Sequence, residues 1–264
     1  MIVRAVGPEL LPHLARQFAS AVADGSEVRD AEAFRVHLWP TADPFYRNVA
    51  VPVAPTADWP HAIGAMRRVF AEARRTPRLE FFAELWPDLP EALERAGFVR
   101  EREGEVMAMA AGQLVPTPVP EALQLLDGTT PLALLARFLA RAGEAFGETD
   151  ALQVPGELAR FADGLRRGTI GAAAVLVAGE PVSGASLTGL ADVAELVGVW
   201  THSGWRRRGY ARAACTAVLQ RLFRHGGRFA WLSAGDTASA QLYRSLGFQP
   251  CGLQLNYVDR MASA

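Results

Sequence analysis

The sequence predicts an α/β protein built on mixed α+β sheets, in which one fold occurs twice in tandem. Segments with strand and helix patterns alternate through the second half, as in proteins that pack helices on a sheet. A shift of 150 residues (228 − 78) superimposes the two halves, and a proline-rich stretch lies between them. A repeated order of elements indicates a duplicated structural unit.

Two sequence anchors carry the repeat. Under the shift, residues 78–82 (RLEFF) align with residues 228–232 (RFAWL), and Gly97-Phe98 aligns with Gly247-Phe248 without a gap. Because one offset explains both anchors, a degenerate internal duplication is a better interpretation than a chance similarity of two strand–helix–strand units.

The stretch Val115–Pro120 (VPTPVP) is the predicted linker between the copies. Proline lacks a backbone donor and disfavours helix at the residue before it. We therefore expect a degenerate domain at 1–114, a linker at 115–120 and a second domain at 121–264.

The elements of the second half follow from hydrophobic periodicity and from turn residues. A proline in the first turn favours the first helix, and Asp236 and Gly247 are typical of the start and the end of the last one. The predicted order is a strand at 121–127, helices at 131–146 and 156–167, strands at 172–178 and 182–190 joined by a turn at 179–181, a strand at 193–201, a helix at 209–224, a strand at 228–233, a helix from 236 to 246 and a strand at 250–258. The helix at 209–224 is predicted to be amphipathic, with one apolar face made of Ala211, Cys215, Val218, Leu219, Leu222 and Phe223.

Charge and composition exclude several classes of protein. Lys plus Arg is 27 and Asp plus Glu is 28, so a chain built to coat nucleic acid is not expected. The sequence has neither a signal-peptide pattern nor an apolar run long enough for a membrane span, so no membrane partner is expected. Cys215 and Cys251 are interpreted as free buried thiols in a reducing compartment, which favours the cytoplasm.

The segment Trp205–Ala211 (WRRRGYA) is the sharpest candidate site. It follows a predicted strand and opens a predicted helix, where free backbone N–H groups and the helix dipole attract phosphate oxygens. Gly209 lets the backbone approach a ligand, and the arginines add positive charge. This chemistry predicts a diphosphate site without distinguishing a nucleotide from coenzyme A. A solvated basic loop is the alternative.

Two motifs resemble those of the GNAT acetyltransferases. Arg206-x-x-Gly209-x-Ala211 is similar to the family's (Arg/Gln)-x-x-Gly-x-(Gly/Ala) motif, and residues 236–248 (DTASAQLYRSLGF) look like its second signature. The resemblance covers 121–260 well and 1–110 loosely. It implies two tandem GNAT folds and acetyl-CoA as co-substrate, without a metal. It assigns the diphosphate to Arg206, Arg207, Arg208, Gly209, Tyr210 and Ala211, and the pantetheine arm to the splayed backbone of Val199, Trp200 and Thr201.

The resemblance also implies catalytic residues. Tyr243 matches the tyrosine that protonates the departing thiolate, with a core tyrosine as the alternative. Glu195 matches a general base, with a glutamate of the cleft wall as the alternative, and His202 is a further candidate base. Asp236 stands where the family usually has asparagine, so its contact with coenzyme A is in doubt.

The same shift predicts that the first copy has lost its site. The motif at 206–211 falls on residues 56–61 (TADWPH), which offer no arginine and no glycine. Tyr243 falls on Leu93, and Glu195 falls on Phe45. We therefore expect the first copy to be structural or to shape the acceptor pocket.

The resulting prediction is an N-acetyltransferase that moves an acetyl group from acetyl-CoA to a primary amine by direct attack, with 121–264 as its catalytic domain. The acceptor would be a small-molecule or peptide amine, and a homodimer is possible. A non-catalytic acyl-CoA-binding regulatory module is the alternative from another class of protein, and a structural pairing domain is a third interpretation.

Overall fold

The structure is a computed structural model that describes residues 6–40, 47–147, 156–189 and 191–260. In chain order, its helices and strands are α1 (Leu11–Ala23), β1 (Glu27–Ala31), β2 (Phe34–Leu38), β3 (Val49–Pro52), α2 (Trp59–Glu72), β4 (Arg78–Phe82), α3 (Leu89–Arg95), β5 (Phe98–Ala110), β6 (Leu123–Leu126), α4 (Leu132–Phe146), α5 (Glu157–Arg167), β7 (Ile170–Val177), β8 (Glu180–Thr188), β9 (Val193–Thr201), α6 (Tyr210–Arg224), β10 (Phe229–Ala234), α7 (Thr237–Leu246) and β11 (Gln249–Asp259).

The chain divides into two compact units, and neither is continuous in sequence. The N-terminal unit contains Val6–Met107, Ser233–Ala240 and the segment from Pro250 onward. The C-terminal unit contains Ala108–Leu232 and Gln241–Gln249. The end of β5 therefore belongs to the C-terminal unit, and nearly all of β11 belongs to the N-terminal unit.

The N-terminal unit is a mixed sheet with helices on both faces. Its strands lie in the order β1-β2-β3-β4-β11-β5. The β3–β4 pair is parallel, whereas β1–β2, β2–β3 and β4–β11 are antiparallel. Met66 and Phe70 of α2 pack with Leu79, Phe81 and Tyr257 in one apolar core. The apolar periodicity of α2 thus places this helix against one face of the sheet.

The C-terminal unit repeats this plan. Its strands lie in the order β10-β9-β8-β7-β6, with β9 and β10 parallel and the other pairs antiparallel. Phe138 of α4 and Phe161 of α5 pack with Trp200 of β9 in a core on one face. Helix α6 packs on β7, β8 and β9 and contributes nothing to that core, so it covers the other face.

The order of elements confirms the tandem repeat. Shifted by 150 residues, β4 spans 228–232 and overlaps β10, and α3 spans 239–245 and falls inside α7. Residues 115–120 carry neither helix nor strand, as a linker requires. The domain limits at 114 and 121 stay a prediction, because the spatial units have limits of their own.

Several predicted elements needed correction. The β7–β8 turn lies at Ala178-Gly179, both with positive φ, and not at 179–181. This is the backbone of a two-residue type I′ hairpin. Pro181 lies within β8 and pairs with Leu176 beside a register shift, one of the places where a strand tolerates proline. The predicted strand end at Leu190 lies outside the described residues.

Helix α6 is less amphipathic than predicted. Ala213, Ala214, Thr216 and Ala217 are also buried, while Phe223 is only half-buried. The buried stripe is wider than the predicted face, because alanines allow close approach of α6 to the sheet.

In the part of the chain that the structure describes, every helix is too short or too polar to cross a lipid bilayer.

Candidate functional site

A bulge interrupts β9 in the C-terminal unit. Along β8, Ser186 lies opposite Val197 and Gly184 lies opposite Trp200, so β9 carries one more residue than β8 between these pairs. The extra length falls at Gly198 and Val199, and Gly198 has a φ of 56°. A bulge leaves backbone groups outside the ladder, and glycine adopts the positive φ that this one needs.

Strand β9 also separates from β10 halfway along its length. Among the described residues, the parallel register runs from Val193–Phe229 only to Glu195–Trp231, although β9 continues to Thr201. The backbone beyond Glu195 therefore has no ladder partner on that side. A ligand with amide groups can bond to such an unpaired strand edge in the way a further strand would.

The carboxyl end of β9 is fixed by a serine. The Ser183 hydroxyl on β8 donates to the Trp200 carbonyl at 2.8 Å, and its oxygen lies 2.8 Å from the Thr201 hydroxyl oxygen. The indole of Trp200 is buried edge-on against Phe138, with ring centroids 5.5 Å apart. The Trp200 side chain belongs to the core. A ligand between the separated ends of β9 and β10 could therefore reach only the backbone of Trp200.

The segment after β9 forms a short 3₁₀ turn at Ser203–Trp205 and then the arginine loop, Arg206–Gly209. Arg207 has a φ of 66°, a conformation that costs a non-glycine residue roughly 1–2 kcal/mol. Gly209 follows with a φ of 79° and is the N-cap of α6. Strain of this kind collects at functional sites, where the surrounding structure enforces it.

The first turn of α6 offers uncapped donors. No side chain caps the helix at Gly209, and its first intrahelical bond runs from Ala213 N to Gly209 O at 3.0 Å. The N–H groups of Tyr210, Ala211 and Arg212 therefore have no acceptor within the helix. Together with the positive end of the helix dipole, they make an anion-binding position.

The arginine loop adds positive charge without neutralisation. Arg206, Arg207 and Arg208 are exposed, and none forms an ion pair with the residues that the structure describes. The Arg206 Nε donates to the Thr201 carbonyl at 3.3 Å, and the Arg208 guanidinium lies over the Trp205 ring at 4.6 Å. These contacts hold two of the cations beside the helix terminus and leave their charge available.

Glu195 lies on the α4 face of the sheet. It pairs with Thr188 on β8. Thr188 is four residues beyond Gly184 on that strand, so Thr188 and Gly184 share a face of the sheet. A Cβ at Gly184 would lie 2.3 Å from the Phe138 ring of α4, which identifies that face. Glu195 is half-buried there. His202, the further candidate base, is half-buried, and its backbone N–H donates to the Val182 carbonyl at 2.9 Å.

Tyr243 is held by the C-terminal cap of α7. The Phe248 N–H donates to the Tyr243 carbonyl at 3.1 Å, and the Gly247 N–H donates to the Arg244 carbonyl at 3.0 Å. This pair of bonds is a Schellman motif, with Gly247 at a φ of 107°. The Tyr243 and Phe248 rings meet edge-on at 6.0 Å, so the Leu-Tyr-x-x-x-Gly-Phe signature fixes the tyrosine ring by ordinary helix capping.

One hydrogen bond connects the two candidate segments of the C-terminal unit. Arg212 Nη2, in the first turn of α6, donates to the Ser245 carbonyl in the last turn of α7 at 3.0 Å. Tyr243 is two residues before Ser245. The helix that begins at the arginine loop is therefore tied to the helix that carries the tyrosine.

Asp236 belongs to the N-terminal unit and acts as a helix cap. Its carboxylate accepts from the Ser239 N–H at 2.7 Å, and this bond holds the pKa of Asp236 below its usual range. The carboxylate is exposed and negatively charged. Its contact with a cofactor stays a prediction, as does each of the other site assignments.

In the N-terminal unit, residues 56–61 align with the arginine loop, and the chain itself caps the helix that begins there. Helix α2 has Asp58 as N-cap, whose carboxylate accepts from the His61 N–H at 3.0 Å. Pro60, in the first turn, removes a donor. Leu93, at the position of Tyr243, is fully buried in the apolar core. Phe45 lies outside the described residues.

Sequence reasoning missed two residues of this site. Gly198 could have been found, because a glycine inside a strand pattern signals a bulge. Ser183 gave no signal, because its bonds depend on the register between β8 and β9. The described residues contain no cluster of three or more His, Cys, Asp or Glu side chains that could hold a metal ion.

Comparison with known proteins identifies the C-terminal part of the chain. Residues 137–248 match the acetyltransferase (GNAT) family. Among curated proteins no relative matches the chain. Several solved structures are similar along nearly the whole chain.

A GCN5-related N-acetyltransferase from Kribbella flavida is 25% identical, with 97% of each chain covered and a TM-score of 0.78. One from Sphaerobacter thermophilus is 18% identical, with 97% of this chain and 94% of that chain covered and a TM-score of 0.64. A tandem GNAT protein from the clavulanic acid biosynthesis pathway is 14% identical, with 94% of each chain covered and a TM-score of 0.61. Residues 137–248 therefore form an acetyltransferase (GNAT) family domain within a chain that has the tandem GNAT fold.

Proposed function

We propose that the chain is an N-acetyltransferase that transfers an acetyl group from acetyl-CoA to a primary amine by direct attack. Family and fold indicate acyl transfer in general. The observation that supports acetyl-CoA as the acetyl donor is the arginine loop, whose exposed cations lie beside the uncapped N-terminus of α6. That combination is suited to a diphosphate, which coenzyme A has.

The residues fit coenzyme A at two levels. Arg206, Arg208 and the first-turn N–H groups of α6 would hold the diphosphate, and the small side chain of Ala211 leaves the first turn open. The unpaired backbone of β9, from Val199 to Thr201, would bond the amide groups of the pantetheine arm. When bound, acetyl-CoA supplies the thioester that the amine attacks.

Glu195 is the proposed base. An amine reaches the site protonated and must lose a proton from nitrogen before it can attack a carbonyl carbon. The Glu195 carboxylate, half-buried on the α4 face of the sheet, would take that proton directly or through a water molecule.

Tyr243 is the proposed acid. Its hydroxyl would give a proton to the sulfur atom that leaves as the C–S bond breaks. The Schellman cap and the Phe248 ring restrict the tyrosine ring, which suits a donor that must be held in position.

The bulge in β9 is the proposed source of carbonyl polarisation. Gly198 and Val199 have no partners in the ladder with β8 and lie beyond the pairing with β10. An N–H group freed in this way can stabilise negative charge on a carbonyl oxygen. Catalysis would therefore depend on positioning and backbone polarity, without a covalent intermediate on the enzyme.

We also propose a structural role for the N-terminal copy and a reducing compartment for the protein, such as the cytoplasm. Asp58 and Pro60 close the helix terminus at which a diphosphate would bind. Cys215 and Cys251 are free and buried, and burial raises the pKa of both thiols to about 12, so they stay protonated.

The test is calorimetric titration of the full chain with acetyl-CoA. The double variant Arg206→Ala/Arg208→Ala should bind about 10- to 100-fold more weakly, because each charge-assisted hydrogen bond contributes roughly 1.5–3 kcal/mol and water replaces part of it. Arg166→Ala/Arg167→Ala is the matched control, since it removes the same charge at the C-terminal end of α5, where both arginines pair with Asp163.

The control variant should bind like the wild type. If the wild type shows no heat of binding with acetyl-CoA, or if both double variants weaken binding equally, the arginine loop is not a coenzyme A site and the proposal fails.

A further inference from the structure

A row of polar side chains crosses two strands of the N-terminal unit. The antiparallel register of β4 and β11 puts Asn256 opposite Glu80 and Gln254 opposite Phe82. Residues two apart on a strand share a face, so Gln254, Asn256 and Glu80 lie on one side of the sheet. We call these three residues, together with Arg102 of β5, the polar row.

The polar row lies on the face that α1 covers. The Phe82 ring, opposite Gln254, lies 6.5 Å from the Phe18 ring of α1. The other face of the same strands buries Leu79, Phe81 and Tyr257 in the apolar core. A sheet between two helical layers ordinarily buries apolar side chains on both faces, so the polar row calls for an explanation.

Gln254 is a buried member of the polar row with an unpaired donor. It is only 3% exposed, and its amide Nε2 has no hydrogen-bond partner among the described residues. Buried polar groups in native proteins are nearly always paired, so an exception requires an explanation, and a bound water, ion or ligand is one. The Gln254 amide nitrogen therefore lacks a hydrogen-bond acceptor.

Glu80 supplies a charge beside this donor. The residue as a whole is half-buried, and its carboxylate is hydrogen-bonded to the Asn256 side chain. Burial raises the pKa of Glu80 to about 6, and the group is still ionised at neutral pH. It can therefore accept hydrogen bonds from a cation.

Arg102 completes the row at its solvent side. It is exposed, and its guanidinium acts electrostatically on both Glu80 and Asp236. A Cβ at Gly235 would lie 2.8 Å from its Nη2 atom, so glycine leaves room for the arginine. Exposure thus rises from buried Gln254 through half-buried Glu80 to exposed Arg102, so the polar row extends from the protein interior to its surface.

We propose that the polar row binds a small molecule carrying both a protonated amine and a carboxylate, that is, a member of the amino acid class. The Glu80 carboxylate accepts from the ammonium group, while Gln254 Nε2 and the Arg102 guanidinium donate to the carboxylate oxygens. Glu80 and Gln254 are diagonal neighbours across the strand pair, about 7–8 Å apart at Cα, which suits a ligand of a few bonds. The inference goes beyond the proposed function, because the site lies within the N-terminal unit and binding needs neither acetyl-CoA nor acyl transfer.

The test is calorimetric or NMR titration of the full chain with 4-aminobutyrate, in the absence of acetyl-CoA. Butylamine and butyrate are the matched probes, since each has one of the two charged groups. We expect saturable binding of 4-aminobutyrate that is at least tenfold tighter than that of either partial probe. If 4-aminobutyrate does not bind, or binds no better than butyrate and butylamine, the inference is overturned.

Three variants locate the site. Glu80→Gln keeps the shape and removes the charge, Gln254→Met removes the donor at similar volume, and Arg102→Met alters an exposed residue that the core does not need. Each should weaken binding of 4-aminobutyrate at least tenfold. Glu72→Gln is the control, because that exposed carboxylate lies on α2 and pairs with Arg29.

A near-UV circular dichroism spectrum identifies the variants that keep the native fold, and Arg102→Met remains a test if Gln254→Met unfolds the sheet. Equal binding by wild type, Glu80→Gln and Arg102→Met would place the ligand elsewhere and refute the inference. Failure here leaves the acetyl-CoA titration unaffected, so the two proposals can fail separately.

Discussion

The N-termini of α2 and α6 occupy the same place in the repeat and have opposite electrostatic character. Helix α6 begins with uncapped N–H groups beside three exposed arginines. Helix α2 begins with the Asp58 carboxylate already bonded to its first turn, and with Pro60 in place of a donor. One fold can therefore offer an anion site or satisfy it internally, and only a few residues decide which.

The aligned helices α3 and α7 differ at the position of the proposed acid. In α7 the Schellman cap holds Tyr243 against Phe248, and in α3 the Gly97 N–H donates to the Glu94 carbonyl at the corresponding position. There Leu93 takes the place of the tyrosine and is fully buried. One hydrogen bond of the cap thus recurs in the first copy, while the tyrosine hydroxyl is replaced there by a leucine side chain.

The largest expected effect tests that hydroxyl. Tyr243→Phe should lower kcat by about 10²- to 10⁴-fold and leave acetyl-CoA affinity unchanged, because it removes the proton donor and keeps the ring packing. Steady-state kinetics with an amine acceptor and calorimetry with acetyl-CoA measure the two effects. Tyr257→Phe is the matched control, since Tyr257 is a buried tyrosine of the N-terminal unit that bonds Glu94.

An unchanged kcat in Tyr243→Phe would mean that Tyr243 is a core tyrosine and not the proton donor. If the wild type binds acetyl-CoA and shows no turnover with any amine, the chain is instead a non-catalytic acyl-CoA-binding module.

A second comparison sets His37 of β2 against Leu187, the residue aligned with it in the second copy. His37 is fully buried, and burial lowers its pKa from 6.5 to about 4. The unfolded chain takes up a proton near pH 6.5, whereas the folded chain resists it until about pH 4. Stability should therefore be lost as the pH falls through this window, by up to about 3 kcal/mol.

Urea unfolding at several pH values between 4 and 7.5 measures this loss. His37→Leu introduces the residue that the second copy has at the aligned position 187. This variant should lose most of the pH dependence in that window, whatever the free energy of unfolding of the variant at pH 7.5. The same slope in both proteins would mean that other groups cause the acid sensitivity.

The smallest effect concerns the cap of α2. Asp58→Ala should lower the free energy of unfolding by about 1 kcal/mol, because the His61 N–H loses its acceptor, and should leave acetyl-CoA binding unchanged. Denaturant unfolding and calorimetry report the two results. Asp88→Ala is the control, since Asp88 precedes α3 without making a side-chain cap. A gain of a second acetyl-CoA site in Asp58→Ala would mean that the first copy is only masked.

The sequence was sufficient where structure depends on neighbours along the chain. Strand β9 has its predicted limits, α6 begins one residue after Gly209, and Asp236 caps α7, because cap and periodicity signals are local. The hairpin turn was misplaced, because Ala178 adopts a positive φ that alanine seldom takes.

Long-range register could not be predicted in the same way. The pairing of β11 with β4 joins residues more than 170 positions apart, and Glu80 meets Asn256 only as a result of it (256 − 80 = 176). The splay of β9 from β10 came from the family resemblance and not from the residues, because no local pattern encodes where two strands separate.

The position of β11 makes each half of the sequence depend on the other. Its partner β4 lies in the first half of the sequence, so a gene truncated to its second half would leave Leu255 and Tyr257 without the strand and core that bury them. The two copies in the sequence are therefore not two separate units in space, and neither half of the gene encodes a complete unit.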